Sequence, residues 1–326
     1  MKGLDPQHGA RPGEGGGHYP GDQRPGASAA ASIEPARWWL RALGAVPLPL
    51  MHGVATLLAL LMRYVLRYRV AIARANLTLA LPALTPAQRS RVLRLHYQRL
   101  AEVLFELPWL TRATAAELAE RLPVNGMQAV QAELAAGRPV LLLTAHLSNW
   151  EWLLQAVAAQ LRVPFLAAYK PPHSEAANRQ MLAVRSRFGA RLVPAKRLLR
   201  ELARQRGHAH VIGMVADQMP TSSAGRVWLE FLGRPTAFFP GPGEIARLGG
   251  YRSFVMAQRR LGPGRYAADC LPLAEASEVL SVAEYTGRYA AQLELLVRAH
   301  PEDWAWTHRR WKLVPPAAHT PAAASD

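Results

Sequence analysis

A histidine and an acid stand five residues apart in the stretch "TAHLSNWEW", His146 and Glu151, directly after the apolar run "RPVLLLTA". A histidine titrates near neutrality, so it can take a proton from an alcohol and return it. An acid in the first turn of the next helix can hold one imidazole nitrogen as a donor and leave the other free to accept. That arrangement suits removing a hydroxyl proton as the oxygen attacks a thioester. The helix N-terminus offers N–H groups to the developing negative charge. The acceptor alcohol is then the nucleophile, and no G-x-S-x-G elbow supplies a serine in its place. Ser148 and Glu151 also have the S-x-x-E spacing of a capping box, which accounts for Glu151 without catalysis. It does not account for His146 at the end of a strand, where open α/β sheets gather their ligands.

Further candidates fall at similar positions. Asp217 and Gln218 end the apolar run "HVIGMVAD" and the segment that follows it, so they read either as site residues or as a turn. Arg185 and Arg187 in "NRQMLAVRSRFG" suit a phosphate or an acyl carbonyl oxygen, or simply a solvated helix face. Arg309 and Arg310 lie among Trp304, Trp306 and Trp311, which suits phosphate headgroups at a membrane interface or a Trp-rich end packed on the core. Lys170 and His173 in "YKPPHSEAANR" are weaker candidates, and His308 reads as a structural imidazole.

The elements that must position these residues alternate. From about residue 122 the chain reads as helix ("VNGMQAVQAELAAG") and then strand and helix in turn, with strands "RPVLLLTAH", "VPFLAAYK", "ARLVPA" and "HAHVIGMVAD". Near-continuous apolar strands between helices predict a mixed, largely buried central sheet flanked by helices, an α/β fold. "RVWLEFLGRPTAFF" reads as a hairpin, "YRSFVMAQRRL" and "RYAADCLPL" as two more strands, and "SVAEYTGRYAAQLELLVRAHP" as a terminal helix. Residues 67–121 read as helical, with Thr85 as N-cap before Pro86, and Leu93, Tyr97, Leu100, Leu104 and Leu107 at helical spacing.

The ends differ from the middle. Residues 1–35, rich in Gly, Pro and Ala, and residues 316–326 are expected to be loose tails. Residues 42–62 form 21 positions without Asp, Glu, Lys or Arg, interrupted by Pro47, Pro49 and His52 and close to the ~20 that cross a bilayer core. Trp38 and Trp39 precede this run and Arg63, Arg67, Arg69 and Arg74 follow it, so 36–66 is expected to span or lie on a membrane with the main domain, 67–315, in the cytoplasm. The 326 residues carry a formal net charge of +16, which points to anionic partners. A nucleic-acid partner is the distant alternative, because the arginines are spread over most helices and no P-loop, zinc-finger or RNP-like pattern occurs. The one cysteine, Cys270, excludes an intrachain disulfide and a cysteine-based zinc site, and reads as a small buried hydrophobe.

Four ordered blocks carry a resemblance. "HLSNWE" resembles the His-x4-Asp/Glu motif of the lysophospholipid acyltransferase superfamily, and more closely the "H-x-G-N-W-E" form of the bacterial lipid A late acyltransferases of lauroyl/myristoyl type. "RVAIARANLTLALPALTPAQR" with "HYQRLAEVLFE", the block from "ADQMP" to "IARLGG", and "HPEDWAWTHRRWK" look like further family segments, so the likeness covers most of 38–315. The chain departs from the pattern at Ser148, where the family carries glycine, and at Glu244. The resemblance implies a glycerolphosphate-acyltransferase-like fold at the bacterial inner membrane, with no metal or other cofactor. It implies transfer of a fatty acyl group from an acyl carrier protein thioester, or acyl-CoA, to a hydroxyl of a phosphorylated glycolipid, a lipid A precursor. Another glycolipid, an aminolipid or a polyene is the alternative acceptor. His146 and Glu151 are the implied catalytic pair, with Asn149, Trp150, Arg185, Arg187, Asp217, Gln218, Arg309 and Arg310 toward substrate.

Overall fold

The computed structural model describes residues 36–220 and 225–316. Apart from Pro316, the two expected tails lie outside these residues. A seven-stranded sheet has the order β1-β9-β8-β2-β5-β3-β4, formed by β1 (Val124–Asn125), β2 (Val140–Thr144), β3 (Phe165–Tyr169), β4 (Ala190–Pro194), β5 (Val211–Val215), β8 (Arg252–Gly262) and β9 (Arg265–Ala274). All its pairings are parallel except β8 with β9. A separate antiparallel hairpin joins β6 (Val227–Phe231) to β7 (Arg234–Phe238). The expected α/β class is therefore the observed one. One detail differs: "VN" is a short parallel edge strand, and the helix that follows begins at Met127. Gly126, with φ +79°, makes the turn between them.

Both faces of the sheet are covered, which explains why β2 reads as a continuous apolar run. Leu141 and Leu143 pack into one core cluster and Val140 and Leu142 into the other, as the two-residue period of a strand requires. The first cluster is closed by α3 (Val70–Ala80), α4 (Pro86–Glu106) and α11 (Val282–Ala299). The second is closed by α5 (Ala115–Arg121), α6 (Met127–Ala135), α7 (Trp150–Ala158) and α8 (Glu175–Arg185), while α9 (Leu198–Arg204) and α10 (Gly241–Gly249) add to the first.

α4 begins as expected, with a complete capping box between Thr85 and Gln88 and Pro86 in its first turn. Its buried stripe keeps Leu93 and Tyr97 but departs from the expected one toward the C-terminal end. Leu104 is 51% exposed, while Glu102 and Glu106 are buried. Glu102 is held by Arg99 and Arg260. Glu106 accepts four hydrogen bonds, from His52 Nε2 (2.8 Å), Gly264 N–H (3.0 Å), Asn149 Nδ2 (2.7 Å) and the Tyr266 hydroxyl (2.7 Å). A helical-period scan of apolar residues cannot find a face whose burial depends on partners from four other segments.

Before α3 lie α1 (Trp38–Leu43) and α2 (Leu48–Leu60), the latter continuing as a π turn, Leu61–Val65. Leu48–Val65 is the one segment among the described residues long and apolar enough to cross a membrane. Leu48, Met51, Ala55, Ala59 and Met62 are buried, and α2 packs chiefly on α4.

Candidate active site

Strand register builds the site. β2 and β5 are parallel neighbours with Leu142 opposite Gly213 and Thr144 opposite Val215. Two residues further along both strands, the same register places His146 beside Asp217. The Asp217 carboxylate accepts from the His146 backbone N–H (3.1 Å) and meets the imidazole Nδ1 at 2.7 Å. An ionised carboxylate can only accept, so Nδ1 carries the proton and Nε2 presents its lone pair. The Gln218 side-chain amide lies 3.2 Å from that Nε2. Asp217 is further held by the Trp304 indole N–H at 2.9 Å and is only 2% exposed.

The carboxylate that touches His146 is thus Asp217, not Glu151 as the spacing had suggested. Glu151 is engaged by Arg185 through both oxygens, Nε at 2.7 Å and Nη2 in a still closer contact, and by the Trp150 indole at 3.1 Å. The capping expectation is corrected in the same turn. Asn149 caps α7 by accepting from the Trp152 N–H at 3.0 Å. Ser148 has φ +51° and donates to Asp303 at 2.8 Å instead. The left-handed region is natural for glycine and costs a serine roughly 1–2 kcal/mol, which is a physical reason for glycine at the matching place in the resembling pattern. The loop is pinned on its other side by Ser148 N–H on the Asp303 carbonyl and Ala305 N–H on the His146 carbonyl.

Burial opposes a charged imidazole, but the charge and hydrogen bond of Asp217, joined by Glu151, outweigh it and hold the His146 pKa above 6.5. Burial likewise opposes the Asp217 charge, and the facing His146 overrides it, leaving the carboxyl below its ordinary value.

His146, Trp150, Glu151, Arg185 and Gln218 line one end of a cavity of about 390 Å³. Its walls continue along β2, β3, β4, β5, β8 and α7 through apolar residues, among them Leu142, Leu153, Val157, Leu192 and Met256. Gly213 lets the Phe165 ring lie across the strand, because a Cβ there would come within 2.8 Å of the ring. The result is a polar rim at the strand ends above an apolar trough, a shape suited to a molecule with a reactive head and an acyl tail. A larger, more open cleft of about 990 Å³ lies beside the start of α2, but among its lining residues no histidine faces a carboxylate of the cleft.

The other expected site residues divide. Trp150 stands edge-on to the imidazole with ring centroids 5.1 Å apart, and Lys170 lines the cavity. Asn149 is fully buried in its cap and its bond to Glu106. Arg187 donates to the Ala113 carbonyl and lies over Phe188, outside the cavity. Arg309 and His173 are exposed and do not line it. Arg310 is buried over Phe238 and donates to the Ala237 carbonyl at 2.6 Å, so it ties the C-terminal segment to the hairpin. Burial lowers its pKa to about 10. Trp304 and Tyr289, which donates to the Thr144 carbonyl at 2.8 Å, are supports the sequence reading missed. Cys270 is buried as expected, its thiol pushed up to about 12 by burial.

A family model described as bacterial lipid A biosynthesis acyltransferase matches residues 35–313. A curated relative from Haemophilus influenzae (strain ATCC 51907 / DSM 11121 / KW20 / Rd), named lipid A biosynthesis acyltransferase, is 23% identical over 246 residues, covering 72% of this chain and 73% of the relative.

Proposed function

The chain belongs to the bacterial lipid A biosynthesis acyltransferase family, and from that premise we propose how this acyltransferase works. The acyl donor is a thioester of acyl carrier protein, and its apolar tail fills the trough beneath His146. The acceptor is a hydroxyl of a phosphorylated lipid A precursor. The enzyme is attached to the cytoplasmic face of the inner membrane through its N-terminal helix.

His146 Nε2 removes the acceptor's hydroxyl proton as that oxygen attacks the thioester carbonyl. Asp217 keeps the proton on Nδ1 and stabilises the imidazolium that forms. The carbonyl π electrons move onto oxygen and return as the C–S bond breaks. His146 then gives its proton to the leaving thiolate, so ester and free thiol are produced and the base is regenerated. Glu151 acts on Arg185 in this reading. It fixes the guanidinium on the cavity wall, where a cation can stabilise the oxyanion or hold a phosphate of the acceptor. Asn149, Arg187 and Arg310 support the site from behind, and Arg309 is free for lipid headgroups.

The observation that carries this reading is the His146–Asp217 pair at the mouth of an apolar cavity. The test is acyl transfer in mixed micelles, with labelled acyl carrier protein thioester or acyl-CoA offered to a lipid A precursor. Wild type should transfer and His146→Ala should not, with unchanged circular dichroism. Undiminished transfer by the variant would reject His146 as base, and preference for acyl-CoA would reject the carrier-protein donor.

A further inference from the structure

We propose that the N-terminal helix holds the enzyme on the bilayer by lying in the plane of an anionic lipid surface, without crossing it. The inference rests on the membrane-attached reading above and settles its geometry. α2 is apolar apart from His52 and Thr56, but its sides have different fates. The seam of Met51, Ala55, Ala59 and Met62 is packed away. On another face, Leu50, Val54, Leu57 and Leu61 recur at helical spacing and are between 41% and 67% exposed.

The seam is fastened along its length. His52 meets Glu106 at 2.8 Å, Gln98 donates to Thr56 at 3.1 Å, and Arg63 donates to Ser90 at 3.3 Å. Advancing along α2 moves backward along α4, so the two helices run antiparallel and side by side. A membrane-spanning α2 would have to leave α4 or bring it along. Leaving would strip the seam and take one donor from the buried Glu106. Coming along would carry the exposed Arg91 and Arg94 into hydrocarbon, at roughly 2.5–3.5 kcal/mol for each arginine.

Lying flat avoids both penalties. The outward strip then enters the headgroup–acyl boundary to a depth of about 5–10 Å, and Trp38 and Trp39, both exposed, flank it at interfacial depth. The charge fits an anionic surface: from Pro35 to Ala101 the chain has ten arginines and no acidic residue.

The test uses the full-length protein with one added cysteine at Arg41 or Arg74, exposed positions on either side of the helix. Cys270 is buried, so it contributes little background. Each variant is placed in sealed inverted membrane vesicles and treated with a membrane-impermeant maleimide. In-plane binding predicts that Arg41→Cys and Arg74→Cys react within about twofold of their rates in detergent. If Arg41→Cys is protected about tenfold or more until detergent is added, the helix crosses the bilayer. That result overturns the in-plane geometry and leaves membrane attachment standing. Purified wild type is also floated with vesicles of phosphatidylglycerol and phosphatidylethanolamine. Failure to float overturns membrane attachment and the in-plane geometry with it, whereas flotation weakened by removing phosphatidylglycerol supports both.

Discussion

Two carboxylates, Glu106 and Asp217, are both buried and both served by several donors. Glu106 receives donors from α2, the β8–β9 turn, β9 and the cap of α7; three of these are buried groups that lead no further, and the fourth, His52, lies at the wall of the open cleft beside α2. Asp217 receives the His146 amide, the His146 ring and the Trp304 indole, but the ring passes the connection on to a cavity. The difference teaches that burial and a full set of donors do not mark a catalytic acid. In the proposed reading what marks it is a titratable partner set at the ends of parallel strands, facing a cavity whose walls continue into an apolar trough.

The comparison can be broken in order of effect. Removing the open end, His146→Ala, should lower the transfer rate by about 10⁴-fold, equivalent to ~5.5 kcal/mol, while leaving the urea midpoint nearly unchanged. Glu106→Ala should do the reverse. It leaves four donors, three of them buried, without an acceptor and should cost about 3–5 kcal/mol of stability, read as a large drop in the urea midpoint. If Glu106→Ala proves as stable as wild type but inactive, the assignment of the two acids is inverted.

Asp217→Asn keeps the shape and removes the charge. Transfer should fall by about 10²–10³-fold, ~3–4 kcal/mol, because the imidazole loses its enforced tautomer and its counter-charge. The pH profile sharpens the point. A base works unprotonated, so wild-type kcat/KM should fall with decreasing pH through the His146 pKa, which lies above 6.5. In Asp217→Asn burial remains and the attracting charge is gone, so this acid limb should move to lower pH. A limb that stays in place would mean another group is titrating. Smallest of all is Ser148→Gly, which relieves the left-handed strain and loses the hydroxyl bond to Asp303. The two should cancel to within ~1 kcal/mol, measurable by thermal melting with activity retained.

Much of this was legible in the chain. The strands β2, β3, β4 and β5 could be read from apolar runs, and His146 and Asp217 were both placed at strand ends. Their pairing was not legible, because it depends on β5 lying next to β2 although β3 and β4 intervene in sequence. Nearness in sequence favoured Glu151, whose true partner Arg185 comes from another helix. The capping reading failed for a backbone reason. The positive φ of Ser148 shifts the cap to Asn149, and an S-x-x-E spacing carries no information about φ. Arg310 illustrates a further limit. Its tryptophan-rich surroundings suggested an interface, yet the same aromatic residues are core, and composition alone does not separate the two.

The Trp304 indole on Asp217 has a consequence for synthesis. The three groups of the site come from residues 146, 217 and 304, and the contact closest to the C-terminus bridges 87 positions. A ribosome releases these parts in order, and long-range contacts of this kind form late because the intervening chain must first be closed into a loop. On the proposed reading the nascent polypeptide therefore emerges with its membrane-binding helix long before its base is aligned. The same reading has the enzyme reach a bilayer while still inert and become competent only when the last segment docks.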